Sequence, residues 1–180
     1  MRKLVESTFV TLDGVISEPQ RWGGPYWNDE HSGYAHDLLF AADALLLGRV
    51  TYEGFAQAWP ARAGQDDYTD RINELPKYVA SKTLADADMT WNASILPGDT
   101  VEAVSKAKEA PGENILKFGT GSLDRTLLEN KLVDEYHFWH FPLVAGRGDH
   151  LFDGLDVTHL RLVDSTTFST GIIVAVYAPK

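Results

Sequence analysis

The 180 residues are 44% hydrophobic and contain no cysteine, so a packed core is expected while disulfides, thiolate chemistry and Cys-based metal sites are excluded. The formal net charge of −10 opposes binding to nucleic acid or anionic membrane, though a local positive site could still take a phosphate-bearing cofactor. The basic start MRKLVESTFV lacks a signal peptide's apolar run, and no stretch approaches the roughly 20 apolar residues of a membrane span, so the expected setting is the cytoplasm.

Residues 4–12 read as a first strand, broken at Asp13-Gly14 and followed by a Gly/Pro/Trp-rich loop over 17–28. A helix is expected over 29–42. Ala44 to Leu47 is apolar at every position, as a strand buried on both faces would be. Gly48 ends it and a helix runs over 49–58. Residues 60–70 are polar and read as loop. Strands follow at 77–81 and within 89–96. Asp99 caps a helix over 99–109 that Pro111-Gly112 stops. Then come a strand at 115–118, a glycine turn at 119–121, a helix at 123–130 and a strand at 134–141. The last two stretches, 160–168 and 171–177, form an antiparallel hairpin turning at Ser169-Thr170. This order predicts one α/β domain over 1–180, with a mostly parallel sheet and an antiparallel C-terminal edge. Ligands of such sheets bind beyond the carboxyl ends of the strands, where the glycine motifs fall.

In LLLGRVTYE (45–53), a buried strand enters a helix through Gly48, presenting free N–H groups together with Arg49 and Thr51. An ordinary strand-to-helix turn would read the same locally. In KFGTGSLDRTLL (117–128), Gly119 and Gly121 allow close backbone approach to a pyrophosphate, and Thr120 and Ser122 can donate or cap. Asp124 stands where a G-x-G-x-x-G fingerprint has its third glycine, and the motif comes late for a Rossmann domain. Ser81-Lys82, at the exit of KYVASKTL (77–84), could hold a ribose 2′-phosphate or be plain solvated loop. The loop Trp22-Gly23-Gly24-Pro25-Tyr26-Trp27 reads equally as a mobile lid or as aromatics packed on the core. Histidine spacing opposes a metal site: His137/His140 on a strand and His31/His36 on a helix do not share faces. No serine has a nucleophile-elbow context. Arg147-Gly148-Asp149 is read as a tight turn.

Together, TLDGVI (11–16), LLLGRVTYE, KYVASKTL, FGTGSLDRTLLENKLVDEY (118–136) and PLVAGRGDHLF (142–152) resemble the dihydrofolate-reductase-like superfamily. They are most similar to its branch containing the reductase domain of bacterial bifunctional riboflavin-biosynthesis enzymes and small stand-alone bacterial relatives. The resemblance implies that superfamily's three-layer fold, NADPH as cofactor, and hydride transfer to a small heterocyclic or carbonyl substrate, as in 5-amino-6-(5-phosphoribosylamino)uracil reductases. It implies phosphate contacts from Gly48, Arg49 and Thr51, and 2′-phosphate contacts from Ser81 and Lys82. Gly119, Thr120, Gly121 and Ser122 would wrap the pyrophosphate, and Phe9 and Ile16 would meet the nicotinamide carboxamide through their backbone.

Trp27 lies 21 residues before Gly48, as an active-site tryptophan does in dihydrofolate reductases. The pterin-binding carboxylate of those enzymes corresponds to Ser32, 16 residues before Gly48. Trp27 and Ser32 are therefore candidate substrate contacts, and Asp13, Asp29 and Glu30 candidate proton donors. His31 and His36 also lie close by. The serine disfavours folate reduction. A true dihydrofolate reductase, a non-catalytic nucleotide-binding protein and a flavin-binding variant remain the alternatives. The C-terminal strands offer an edge for a homodimer.

Overall fold

The computed structural model describes residues 1–180. Its strands are β1 (Leu4–Thr11), β2 (Ala42–Gly48), β3 (Lys77–Ala80), β4 (Ala93–Ile95), β5 (Asn114–Phe118), β6 (Glu135–Phe141), β7 (Leu160–Thr167) and β8 (Ile173–Pro179). Its helices are α1 (Pro19–Trp22), α2 (Asp29–Phe40), α3 (Arg49–Ala58), α4 (Asp67–Glu74), α5 (Thr100–Glu109) and α6 (Ser122–Glu129). The strands form one sheet in the order β4-β3-β2-β5-β1-β6-β8-β7. All neighbours are parallel except the last two pairs, β6–β8 and β8–β7.

Alternation along the strands builds two apolar layers. Leu4 and Val10 of β1 join Leu46, Ile115 and Phe138 under Val104 of α5 and Leu127 of α6. Val5, Leu45, Leu47 and Leu116 pack with Leu39 of α2, Tyr52 of α3 and Ile72 of α4 on the other face. Strand β2 feeds both layers, which is why it is apolar without alternation. Each leucine buried there contributes about 1.5–3 kcal/mol. A third cluster of Trp139, Phe141, Phe168, Ile172 and Val174 gathers Phe9, Trp22, Tyr26 and Tyr34.

Two segments read as loop contain helices. α4 lies partly within the polar stretch 60–70. It buries Ile72 completely, and it is further held by the Asp66 cap on the Thr69 N–H (2.6 Å) and by Arg71, which donates to the Ala42 carbonyl at 2.7 Å. The 17–28 loop holds α1 and a 3-10 turn at Gly24–Tyr26. β2 also begins at Ala42, where α2 had been expected to end.

One feature of the register opens the sheet. β1 pairs with β5 only from Leu4↔Ile115 to Ser7↔Phe118, yet follows β6 as far as Thr11↔Phe141. From Thr8 onward β1 has no strand on its β5 side. This leaves a crevice at the carboxyl edge, the place where such sheets bind ligands.

Candidate active site

The crevice continues into a cleft of about 420 Å³ across the carboxyl edge. Gly48, Arg49 and Thr51 line one side, Ala80 to Thr83 the floor near β3, and Lys117 with Gly119 to Asp124 the other side. The helix termini explain its chemistry. α2, α4 and α5 each begin with a side chain (Asn28, Asp66, Asp99) that accepts from first-turn N–H groups. α5 meets the cleft only through Thr100, while α3 and α6 border it across Gly48 and Gly121 and have no such cap from their N-cap residue. At α3 the first-turn N–H groups, and at α6 those of Ser122 and Leu123, are left for an anion, with the positive end of each helix dipole behind them; the Asp124 N–H is already bonded to the Gly121 carbonyl at 3.1 Å.

Gly119 has φ +72°, and a Cβ there would stand 2.7 Å from Thr51 Oγ1. The two glycine motifs, 71 positions apart by number (119 − 48), therefore touch through this residue. Thr120 Oγ1 donates to Thr8 Oγ1 at 3.0 Å, pinning the turn to the free edge of β1.

Beneath the turn lies a charged cluster that sequence reasoning missed. Glu6 and Lys117 are register partners on β1 and β5, 0% and 1% exposed. Lys117 Nζ lies 2.6 Å from Asp124 Oδ1 and 3.8 Å from Glu6 Oε2, and donates to the Gly119 carbonyl. Asp124, 3% exposed, accepts the Gly121 N–H at 2.6 Å. Asp124 is thus no failed glycine: its carboxylate shapes the turn. Burial raises the Glu6 carboxyl well above the usual range, Lys117 opposing and Asp124 reinforcing the shift. The available signal was a single charge in each otherwise uncharged strand, Glu6 in LVESTFVT and Lys117 in NILKF.

The other sequence candidates divide into groups. Ser81 Oγ accepts from the Thr83 and Leu84 N–H groups at 3.2 and 3.1 Å, curling the chain so that exposed Lys82 borders the cleft. Arg49 reaches Glu53 at 3.4 Å across one helical turn. Ile16 lines an adjoining cavity of about 230 Å³ that shares Thr120, Gly121, Ser122 and Asp124 with the main cleft. Phe9 follows Thr8 and points to the other face, with its ring 5.2 Å from those of Trp139 and Phe141.

The candidate acids are not equivalent. Asp13 accepts from the Thr11 hydroxyl at 2.5 Å and from the Ala145 and Gly146 N–H groups at 3.0 and 2.7 Å. These bonds, the Thr11 hydroxyl foremost, hold its pKa down at about 2. Asp13 therefore staples TLDGVI to PLVAGRGDHLF. The Arg147-Gly148-Asp149 turn is part of that staple: Gly148 has φ +136°, and a Cβ on it would collide with Ser17 and Val15. Glu30 is also lowered, first by the Ser169 hydroxyl and then by the Ser169 N–H, which donates at 2.8 Å. Asp29 stands exposed at the first position of α2.

The aromatic loop is docked rather than free. Trp22 and Tyr26 pack edge-on against Phe141 at 5.0 and 5.6 Å. Only Trp27 stands out. It donates from Nε1 to Ser32 Oγ at 3.0 Å and stacks on the His31 ring at 3.8 Å. Ser32 thus holds the tryptophan.

This geometry agrees with comparison to known proteins. The chain is 32% identical to the uncharacterized protein YyaP of Bacillus subtilis (strain 168), over 98% of this chain and 94% of that one. A candidate riboflavin biosynthesis protein of Shewanella sp. PV-4 shares the fold with a TM-score of 0.78, at 21% identity over 99% of both chains. The diaminohydroxyphosphoribosylaminopyrimidine deaminase/5-amino-6-(5-phosphoribosylamino)uracil reductase of Thermotoga maritima matches with a TM-score of 0.68 at 16% identity, over 99% of this chain and 57% of that one. The family model for the RibD C-terminal domain matches residues 2–174, and with a dihydrofolate-reductase-like sheet bearing its glycine turns at the carboxyl edge, the chain belongs to the RibD C-terminal domain family.

Proposed function

We propose that the chain is an NADPH-dependent reductase of the cytoplasm, acting on a small heterocyclic or carbonyl substrate of the kind reduced by the riboflavin-pathway branch. The observation that carries this is the pair of helix N-termini, α3 and α6, that open on one cleft through glycines with no capping side chain. A dinucleotide offers two phosphate-rich stretches to two such ends. Gly119 and Thr51 leave room for a backbone cradle and not for a side chain. In this reading Thr51, Arg49 and the 119–122 turn hold the pyrophosphate, and Ser81 with Lys82 selects the 2′-phosphate. Ile16 and the backbone at Phe9 border the nicotinamide. The nicotinamide, when bound, supplies the hydride.

The protein's part is to orient and to exclude water. Asp13 and Glu30 are both tied down as acceptors, so neither is suited to hand over a proton; Asp29 is the untied candidate among the three. Those tied carboxylates also favour a second reading, a nucleotide-binding protein that does not turn over. With Ser32 bonded to Trp27 and no carboxylate there, folate reduction is the weaker enzymatic alternative. Self-association through β7, whose side chains are exposed along nearly its whole length, accompanies the proposal.

Fluorescence titration with NADPH and NADH tests the cofactor, and nicotinamide oxidation against pyrimidines, pterins and quinones tests turnover. NADPH should bind more tightly than NADH, and Lys82→Ala should erase that preference while Arg49→Ala weakens both. Failure of NADPH to bind refutes the proposal. Binding without any turnover selects the second reading. Light scattering decides the dimer.

A further inference from the structure

One buried acid is not used by the proposed reaction. Glu6 is 0% exposed, and its Oε2 meets no hydrogen-bond donor. An ionised carboxylate with one oxygen left unpaired away from water is costly. As the neutral acid, Glu6 has a proton to donate, and Asp124 beside it is an acceptor. The groups facing it are Lys117 from β5, Asp124 from α6 and its register partner Tyr136 from β6. Lys108 of α5 is spent elsewhere, on the Leu132 carbonyl at 2.6 Å and on Asp134 at 2.7 Å. Lys117 stands closer to Asp124, at 2.6 Å, than to Glu6, at 3.8 Å. Its charge neutralises Asp124 first, and burial raises the Glu6 carboxyl.

A file of hydroxyls leads out from this acid. Thr8 Oγ1 donates to Glu6 Oε1 at 3.2 Å, and Thr120 Oγ1 donates to Thr8 Oγ1 at 3.0 Å. Glu6 and Thr8 are both buried, whereas Thr120 lines the main cleft and the adjoining cavity alike. The file ends where β1 loses its β5 neighbour, at the crevice of the carboxyl edge. Each hydroxyl both donates and accepts, so the file carries a proton in either direction once the O–H groups turn. Pinning the glycine turn to β1 needs only Thr8 and Thr120; it needs no acid behind them.

We propose that Glu6 stores the proton consumed in the reduction, and that Thr8 and Thr120 pass it to the substrate in the crevice. This rests on the reductase reading above, with NADPH as the reductant that is oxidised. The substrate carbon takes the hydride and its two electrons, and the C=N or C=O π bond opens. The substrate nitrogen or oxygen takes the Thr120 hydroxyl proton, Thr120 is refilled from Thr8, and Thr8 from Glu6. Glu6 is left as a carboxylate beside Lys117 and recovers a proton from water through the same hydroxyls after product leaves. The crevice can thus exclude water and still be supplied with a proton.

Infrared spectroscopy of the intact protein tests the store without turnover. At neutral pH the parent should show a protonated-carboxyl stretch that Glu6→Gln lacks and that Thr8→Val keeps at a shifted position. NADPH oxidation with the same pyrimidines, pterins and quinones tests the delivery. Glu6 gives a proton only while protonated, so kcat should fall as pH rises through its raised pKa. Glu6→Gln should lower kcat about a hundredfold and abolish that alkaline limb, with the KM for NADPH unchanged. Thr8→Val should lower kcat by a similar factor, and Thr8→Ser, which restores the hydroxyl, should recover most of it. A missing infrared band, a limb that survives in Glu6→Gln or is removed by Asp29→Asn instead, or full turnover by Thr8→Val overturns the proposal. Turnover with the limb intact in Glu6→Gln overturns the relay alone and spares the reductase reading. A Glu6 band with NADPH bound and no turnover overturns both.

Discussion

Replacing Lys117 with methionine removes the ammonium that lies 2.6 Å from Asp124 and 3.8 Å from Glu6, while keeping most of the side-chain volume. Glu6 is pushed towards its neutral form by burial, so it can tolerate the loss. Asp124 would be left 3% exposed with its counter-ion gone. Breaking a buried pair on one side costs about 3–5 kcal/mol, a large share of the roughly 5–15 kcal/mol that stabilises a typical domain. The lost bond to the Gly119 carbonyl should also loosen the turn and weaken NADPH binding about tenfold. Urea denaturation followed by circular dichroism measures the first effect, with an unchanged m-value securing the comparison. The double variant Lys117→Met/Asp124→Asn should recover roughly 1–3 kcal/mol, because the stranded charge is gone. A loss below about 1 kcal/mol in the single variant, or strict additivity in the double, would refute the assignment of this cluster as the support of the glycine turn.

Gly119→Ala forces a left-handed backbone on an L-residue, worth roughly 1–2 kcal/mol, and drives a methyl against Thr51 Oγ1. NADPH affinity should fall about tenfold and recover in part when Thr51→Ala is added; unaltered affinity would sink the cradle. Glu6→Gln should remove a pH dependence. A raised folded pKa means stability present below the ordinary glutamate value and lost as pH rises through the raised one. The variant's urea midpoint should therefore be higher than the parent's at alkaline pH, and an unchanged slope would show Glu6 ionised throughout. Asp13→Asn acts in the opposite direction. Its folded pKa of about 2 lies below the ordinary aspartate value, so its stabilisation is present above that ordinary value and disappears as pH falls through about 2. The Ala145 and Gly146 amides should exchange faster in the variant, and turnover should keep its acid limb. Loss of that limb would make Asp13 the proton donor after all.

The helices and strands that repeat apolar residues at their own period were legible from the chain, as were the places where a strand runs into glycine. That information is local. β2 declared itself by four apolar residues in a row, and α3 and α6 by the turns before them. α4 did not, because its sequence is mostly polar and only the fold shows Ile72 buried and Arg71 reaching Ala42, 29 positions away. The carboxylates show the same limit more sharply. Asp13, Asp29 and Glu30 look alike in sequence, and only folding brings Ala145 and Gly146 to the first and Ser169 to the third. The chain by itself determined the order of elements and the two glycine turns that border the cleft, since periodicity and backbone freedom belong to neighbouring residues. The tertiary structure decided which charges are neutralised, which acids are tied and that His31 is sealed beneath Trp27. Burial and hydrogen-bond partners are set by residues distant in sequence, and it is these that fix what a side chain can do.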